Sequence, residues 1–151
     1  MNDDRKQTLE QITALFDSQR LAVLSTQTHN QPYASLVAFA ASPDLAYFYL
    51  LTPDTTRKYE HLTANPKVSV LVNDSHNQAE DIYEAISVTG TGVAEVVDKE
   101  MEKEALDMYL EKHSYLKDFA RVPTTAFVRI AMKRYFLVSR FQHVVEVKVS
   151  E

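Results

Sequence analysis

Short apolar runs separated by polar turns are the dominant pattern along the chain. They predict strands at residues 21–26, 33–40, 45–52, 68–73, 84–97, 125–132, 135–139 and 144–149. Strands joined by a few turn residues are expected to pair antiparallel. Strand and helix do not alternate regularly, which argues against a doubly wound parallel sheet. The pattern therefore predicts a mainly β protein whose antiparallel strands close, or nearly close, into a barrel with peripheral helices.

Helical periodicity is confined to a few crossings between these strands. The first helix is expected to run to about Ser18, with Leu9, Ile12 and Phe16 on one face. A short helix begins near residue 55 and ends before an Asn-Pro pair, and a polar loop is expected at 74–81. Asp98 is expected to cap a strongly charged helix that runs to about His113, and we interpret residues 98–104 as its solvated face. One or two further helical turns are expected at 114–121.

Glycine is unusually scarce, since the chain of 151 residues contains only Gly90 and Gly92. Both lie inside a predicted strand, where glycine marks a bulge, a bend or a close backbone approach. Neither a Rossmann fingerprint nor a P-loop can be written with these two residues. A phosphate group would therefore have to be bound by side chains and the end of a helix.

Composition narrows the class of protein further. The length predicts one domain over residues 1–151, and the net charge of −5 argues against a nucleic-acid-binding protein. The absence of cysteine excludes disulfides, thiolate metal sites and cysteine nucleophiles. The polar N-terminus does not resemble a signal peptide, and no apolar run approaches the length of a membrane span. We expect a cytoplasmic protein without a membrane segment.

The start of the short basic helix breaks a local rule of helix chemistry. Thr55 and Thr56 are plausible caps, but Arg57 and Lys58 follow at once. Cations are unfavourable there because the first helical turn carries free N–H groups and the positive end of the helix dipole. An anion bound at this point would explain both features, since the N–H groups and the cations would converge on it. The alternative is a solvated helix end whose charges point into water.

Several motifs in the same order along the chain resemble one family of proteins. They are Gln31-Pro32-Tyr33, Pro43-Asp44, Thr56-Arg57-Lys58, Asn65-Pro66-Lys67-Val68-Ser69 and Gly92-Val93-Ala94-Glu95. In this respect the chain resembles the pyridoxamine 5'-phosphate oxidase-like family, the FMN-binding split-barrel proteins, over about residues 21–130. The resemblance implies a six-stranded split β-barrel that forms a homodimer and binds FMN in a groove between the subunits.

The resemblance also assigns positions to the cofactor. Ser35, Leu36 and Val37 would lie beside the isoalloxazine ring and offer backbone groups to its polar edge. Leu51 and Thr52 would lie near the ribityl chain and the phosphate. The cofactor-binding set is completed by Thr56, Arg57 and Lys58, which would hold the phosphate, and by Ser87, which stands where many members have a glutamine.

Departures from the oxidase pattern limit what the resemblance implies. The chain has no tryptophan, whereas the oxidases place one against the flavin, so Phe136 or Phe141 would have to replace it. Ser35 stands where the oxidases carry a basic residue, and the C-terminal arginine-rich tail is missing. The resemblance therefore favours the fold and the cofactor but not oxidation of vitamin B6.

Three functions remain open from the sequence. The first is a flavin-dependent oxidoreductase with an unidentified substrate, and the second is a flavin-binding module without catalysis. The third is a heme-binding relative, in which the late His143 would be the iron ligand. His61, one turn beyond Lys58, either lines the same groove or is a solvated helix residue.

Overall fold

Seven strands form one antiparallel sheet in the computed structural model, which describes residues 3–139 and 142–150. They are β1 (Leu21–Thr28), β2 (Gln31–Ala41), β3 (Tyr47–Pro53), β4 (Lys67–Asn73), β5 (Ser87–Val97), β6 (Thr125–Ser139) and β7 (His143–Lys148). The order is β3-β2-β1-β4-β5-β6-β7, and β3 also pairs with β6. This last pairing closes six strands into a ring, and β7 extends the sheet from β6. The predicted split barrel is confirmed.

Helices cover the outside of the barrel at its crossings. They are α1 (Asp3–Ser18), α2 (Arg57–Ala64), α3 (Asp81–Glu84), α4 (Lys103–Lys112) and α5 (Lys117–Arg121). As predicted, Ile12 and Phe16 of α1 are buried and Leu9 packs beside them. Within the described residues, no helix is long and apolar enough to span a membrane.

Two predicted element boundaries are wrong near α3 and α4. The polar loop at 74–81 leads into α3 rather than directly into a strand, and β5 begins only at Ser87. The Asp81 carboxylate accepts hydrogen bonds from the backbone N–H groups of His76 and Gln78, which stabilises this turn. Likewise Asp98 caps a turn, through the N–H groups of Glu100 and Met101, before α4 begins.

The last long strand also differs from its prediction. Strands were expected at 125–132 and 135–139, but β6 is one strand of 15 residues. Its first part pairs with β3 and its last part with β7, while β5 pairs along most of its other edge. Arg134 interrupts the apolar pattern without interrupting the strand, since it is exposed and forms an ion pair with Glu146 at 3.0 Å.

Aromatic side chains fill one end of the barrel. The rings of Phe39 and Phe48 stack with centroids 4.7 Å apart, and Phe16 of α1 meets both at their edges. The Tyr135 ring also meets Phe16, and its hydroxyl donates to the carbonyl oxygen of Leu45. Alternating residues of the strands supply the rest of this interior, so α1 closes the barrel with an apolar face.

The two glycines lie where β5 bends against β6, as predicted. The register of these strands shifts between Thr91 and Gly92. A Cβ atom on Gly92 would lie 2.5 Å from the carbonyl oxygen of Ala131. A Cβ atom on Gly90 would lie 2.5 Å from the terminal methyl of Met132, at the end of a flexible side chain. Close approach of the backbone therefore requires glycine most strictly at position 92.

Substitution of the two glycines is expected to have unequal effects. We expect Gly92→Ala to lower the free energy of unfolding by about 1–3 kcal/mol, because the new methyl group meets backbone atoms that cannot move separately. Gly90→Ala should lower it less, since Met132 can change rotamer. Urea denaturation of both variants measures the difference. Equal losses would show that the backbone contact at Gly92 is not the cause.

Candidate functional site

An opening between β2 and β3 is the feature around which most of the predicted site residues lie. These strands pair at only three positions, Phe39↔Leu50, Ala40↔Tyr49 and Ala41↔Phe48. Residues 31–38 of β2 continue along β1 alone. No strand in the described part of the chain covers the other edge of this segment. We call the gap between residues 31–38 of β2 and residues 51–53 of β3 the split.

The backbone of Leu36 faces the split. Residues two apart in an antiparallel strand direct their polar groups to the same edge. The N–H of Ser42 donates to the carbonyl oxygen of Tyr47, so the polar groups of Ser42 face β3. The carbonyl oxygen of Ala38, four residues earlier, faces the same side of β2 and accepts from Tyr109. Leu36 is the next residue of this series, so its N–H and C=O groups point into the split. Its side chain is 67% exposed on the outer face of the barrel.

The neighbours of Leu36 point inward. Val37 is buried in the core. The hydroxyl oxygen of Ser35 is buried and has no hydrogen-bond partner among the described residues. An unpartnered buried hydroxyl is unfavourable by about 1–3 kcal/mol, so this position marks a place where a partner is missing. The predicted ring-binding segment thus offers two kinds of polar group. These are the free backbone groups of Leu36 and the unpartnered hydroxyl of Ser35.

The end of β3 and the start of α2 lie at the same opening. Thr52 is buried, and its hydroxyl oxygen lies 2.7 Å from that of Thr56. The Thr56 hydroxyl accepts a hydrogen bond from the N–H of Tyr59 at 3.2 Å, which makes Thr56 the cap of α2. The predicted cap is confirmed, and Leu51, whose side chain is buried, can offer only backbone groups here.

Two cations follow the cap directly. Arg57, the first residue of α2, is exposed, and Lys58 is partly buried. Burial lowers the pKa of the Lys58 ammonium group, because desolvation disfavours its charged form. A bound anion would favour that charged form and would also accept bonds from the free N–H groups of the helix start. The residues present therefore fit a phosphate group.

Ser87 lies apart from the other predicted residues. It begins β5 and pairs with Asn73 of β4 and Val138 of β6. In the ring of six strands, β5 is opposite β2, so a single chain does not bring Ser87 to the split. Phe136 lies on β6 beside β5, also away from the split. Phe141, the other candidate to replace tryptophan, lies outside the described residues.

His61 has a structural role that the sequence did not reveal. Its side chain is buried, and Nδ1 lies 3.1 Å from the hydroxyl oxygen of Thr26 in β1. The ring of Tyr33 meets it edge-on at 5.2 Å. The interpretation as a solvated helix residue is therefore wrong. His61 fixes α2 against the barrel and so helps to set the position of the helix start.

One face of α4 reaches the end of the β2–β3 ladder. Residues 98–104 are mostly exposed, as predicted, whereas Tyr109 and His113, which follows α4 directly, are buried. The Tyr109 hydroxyl donates to the carbonyl oxygen of Ala38 at 2.9 Å, and Nε2 of His113 lies 2.7 Å from that of Phe39. Burial lowers the pKa of His113, which favours a neutral ring that donates from Nε2. Tyr109 and His113 are four residues apart, about one helical turn, and this spacing was the sequence signal that both side chains lie on one buried face.

Two cavities lie away from the split. One, about 890 Å³, is an open cleft with charged walls beside α4 and α5. Another, about 650 Å³, lies between α1, α3 and the β6–β7 edge, and His143 is on its wall. His143 itself is exposed at the start of β7. The candidate iron ligand and the candidate phosphate site are thus in different parts of the molecule.

Comparison with known sequences assigns the family. The sequence profile of pyridoxamine 5'-phosphate oxidase matches residues 8–139. The chain therefore belongs to the pyridoxamine 5'-phosphate oxidase family. It is also similar to a pyridoxamine 5'-phosphate oxidase homolog of Schizosaccharomyces pombe, with 28% identity over 134 residues, covering 72% of this chain and 70% of that relative. The resemblance inferred from the motifs is confirmed.

Solved structures with the same fold differ in what they bind. A heme-binding protein of Mycobacterium smegmatis matches 98% of this chain with a TM-score of 0.81 and 17% identity. The chain spans 59% of the length of that protein. A FAD-binding protein of Mesorhizobium loti matches 85% of this chain, and 90% of its own, with a TM-score of 0.70 and 24% identity. At these identities the likeness shows the fold alone.

Proposed function

We propose that the protein binds FMN in the split and acts as a flavin-dependent oxidoreductase. The observation that carries the proposal is that the free backbone edge at Leu36 and the cations Arg57 and Lys58 border one opening. The pyrimidine end of a flavin has an N–H group flanked by two carbonyl groups, which matches a free strand edge. A phosphate on the same molecule matches the capped start of α2.

The contribution of the chain itself is binding and orientation. When bound, the flavin would supply two-electron transfer between a donor such as a reduced nicotinamide and an acceptor. The backbone groups of Leu36 would fix the direction of the ring, and the hydroxyls of Thr52 and Thr56 would orient the phosphate. Among the residues that the structure describes, no side chain at the split is placed as an obvious acid or base, so we assign no catalytic residue.

We also propose that the protein forms a homodimer through the outer face near the split. The outer face near the split carries exposed apolar residues, including Leu36 and Leu21, which are 67% and 51% exposed. Val23 pairs with Leu36 across β1 and β2 and extends the apolar surface. A second copy on this face would cover it and could bring its own Ser87 towards the split. We expect sedimentation to give the mass of a dimer, and we propose a cytoplasmic location.

The first test is the visible absorption spectrum of the purified protein before and after incubation with excess FMN and desalting. We expect a retained flavin spectrum with FMN in stoichiometric amount. A colourless protein that keeps no FMN would contradict the proposal. Turnover of a reduced nicotinamide by the flavin-loaded protein then separates an oxidoreductase from a flavin-binding module that has no catalytic activity.

Heme binding is the second candidate, because exposed His143 lies on the wall of a cavity of about 650 Å³. A heme titration followed at the Soret band tests it. If heme binds through this residue, His143→Ala should abolish the band, whereas Arg57→Ala should leave it unchanged. No Soret shift in the unmodified protein would exclude this alternative.

A further inference from the structure

The ladder between β2 and β3 ends at an unusual position. Bonded pairs alternate along antiparallel strands, and Ser42–Tyr47 is one such pair. The next bonded pair along the ladder is Ala40–Tyr49. If the same register continued, the pair after that would be Ala38–Leu51. At that position the N–H of Leu51 would bond directly to the carbonyl oxygen of Ala38.

The hydroxyl of Tyr109 occupies this place instead. It donates to the carbonyl oxygen of Ala38 at 2.9 Å. Burial raises the pKa of this hydroxyl, and the nearby backbone of Leu51 partly opposes that rise. The side chain thus occupies the acceptor of the missing pair and lies beside its donor residue, although it comes from α4, 71 residues beyond Ala38. One hydroxyl thus stands at the position where the two strands would otherwise bond directly.

The next pair in the same register is blocked by a different residue. It would join Leu36 to Pro53, and proline has no N–H to donate. Two consecutive bonded positions of the ladder are therefore prevented, the first by Tyr109 and the second by Pro53. Beyond Pro53 the chain turns into the cap of α2.

The surroundings of Tyr109 hold its hydroxyl in place. The residue is almost completely buried, and its ring contacts His113 and Phe127 with centroid distances of 4.9 and 6.1 Å. One turn later His113 bonds to the carbonyl oxygen of Phe39, so α4 is attached to β2 at two adjacent residues. Burial also raises the pKa of Tyr109, and the hydroxyl keeps its proton as a donor.

We infer that Tyr109 is a positioning residue that holds β2 and β3 apart and keeps the backbone edge of Leu36 free for the isoalloxazine ring. The identity of the ligand rests on the proposed function, whereas the separation of the strands rests on the contacts of Tyr109 and Pro53. Tyr109 acts through β2 and touches neither the phosphate cations nor the helix cap.

Tyr109→Phe tests the inference, because it removes the bridging oxygen and keeps the ring. We expect FMN and riboflavin to lose affinity by the same factor, about tenfold, since the change affects the ring edge and not the phosphate. We also expect the amide resonance of Leu51 in the ligand-free protein to leave its wild-type position, whether that N–H then bonds to Ala38 or to water.

Tyr135→Phe is the matched control. Tyr135 is also fully buried, and its hydroxyl donates to a backbone carbonyl, that of Leu45, at 2.7 Å. This variant should lose comparable stability and keep wild-type flavin affinities. Flavin affinities in Tyr109→Phe no lower than in the control would overturn the inference, as would an unchanged Leu51 resonance. If the wild-type protein binds neither flavin, the proposed function fails, and the Leu51 resonance alone decides whether Tyr109 separates the strands.

Discussion

The double variant Arg57→Ala/Lys58→Ala is expected to bind FMN at least about 100-fold more weakly than the wild-type protein. Each charge-assisted contact to a phosphate contributes roughly 1.5–3 kcal/mol, and about 1.4 kcal/mol corresponds to a factor of ten. Arg57 is exposed, so its contact should contribute near the lower value. Riboflavin, which has no phosphate, should bind equally to both proteins. Titration of flavin fluorescence with each protein measures these affinities.

The control for this variant is Lys103→Ala. Lys103 is likewise a cation near the start of a helix, α4, but it lies away from the split. Its removal should leave the FMN affinity unchanged. The double variant should keep or slightly gain stability, because both lost cations oppose the dipole of α2. An FMN affinity within about twofold of wild type would remove the phosphate-site assignment, since even one weak charged contact exceeds that difference.

Phe39→Ala should have the largest effect on stability, lowering the free energy of unfolding by about 3–5 kcal/mol. The ring is fully buried, stacks on Phe48 and meets Phe16, and the ammonium of Lys112 lies 4.0 Å from its centroid. Its loss would leave a cavity where the barrel, α1 and α4 meet. Urea denaturation monitored by circular dichroism measures the loss.

Leu36→Ala on the same strand is the comparison for this variant. The Leu36 side chain is largely exposed on the outer face, so its truncation should change the stability of a single chain by about 0.5 kcal/mol or less. A larger loss that depends on protein concentration would indicate that Leu36 is covered by a second copy. A small loss for Phe39→Ala would contradict its assignment to the centre of the core.

The strands were predictable because their signal is local. Apolar runs bounded by turns gave five strands close to their observed limits, and the glycines marked the bend of β5. The division of β6 was wrong because the pattern near Arg134 was interpreted without its partners. Pairing with β3, β5 and β7 keeps that strand continuous, and such long-range partners cannot be read from a window of a few residues.

The residues of the candidate site also fall into those that the local sequence could predict and those that it could not. Thr56, Arg57 and Lys58 were predictable, since a cap followed by cations is a local departure from helix chemistry. The burial of His61 was not predictable, because its partner Thr26 belongs to a strand 35 residues earlier. The bridge made by Tyr109 depends on the register of two strands and on the docking of a later helix. The spacing of Tyr109 and His113 indicates only that both can lie on one buried face, and it does not indicate the bridge.

Closure of the barrel has a consequence for synthesis of the chain. β3 is paired along its length by β6, and the partner of Pro53 is Thr125, 72 residues later. At about 5–20 residues per second, this edge remains without its partner for roughly 4–14 s on the ribosome. During that interval its apolar side chains and free backbone groups are open to other nascent chains. The yield of folded protein should therefore depend on the rate of translation between these two strands.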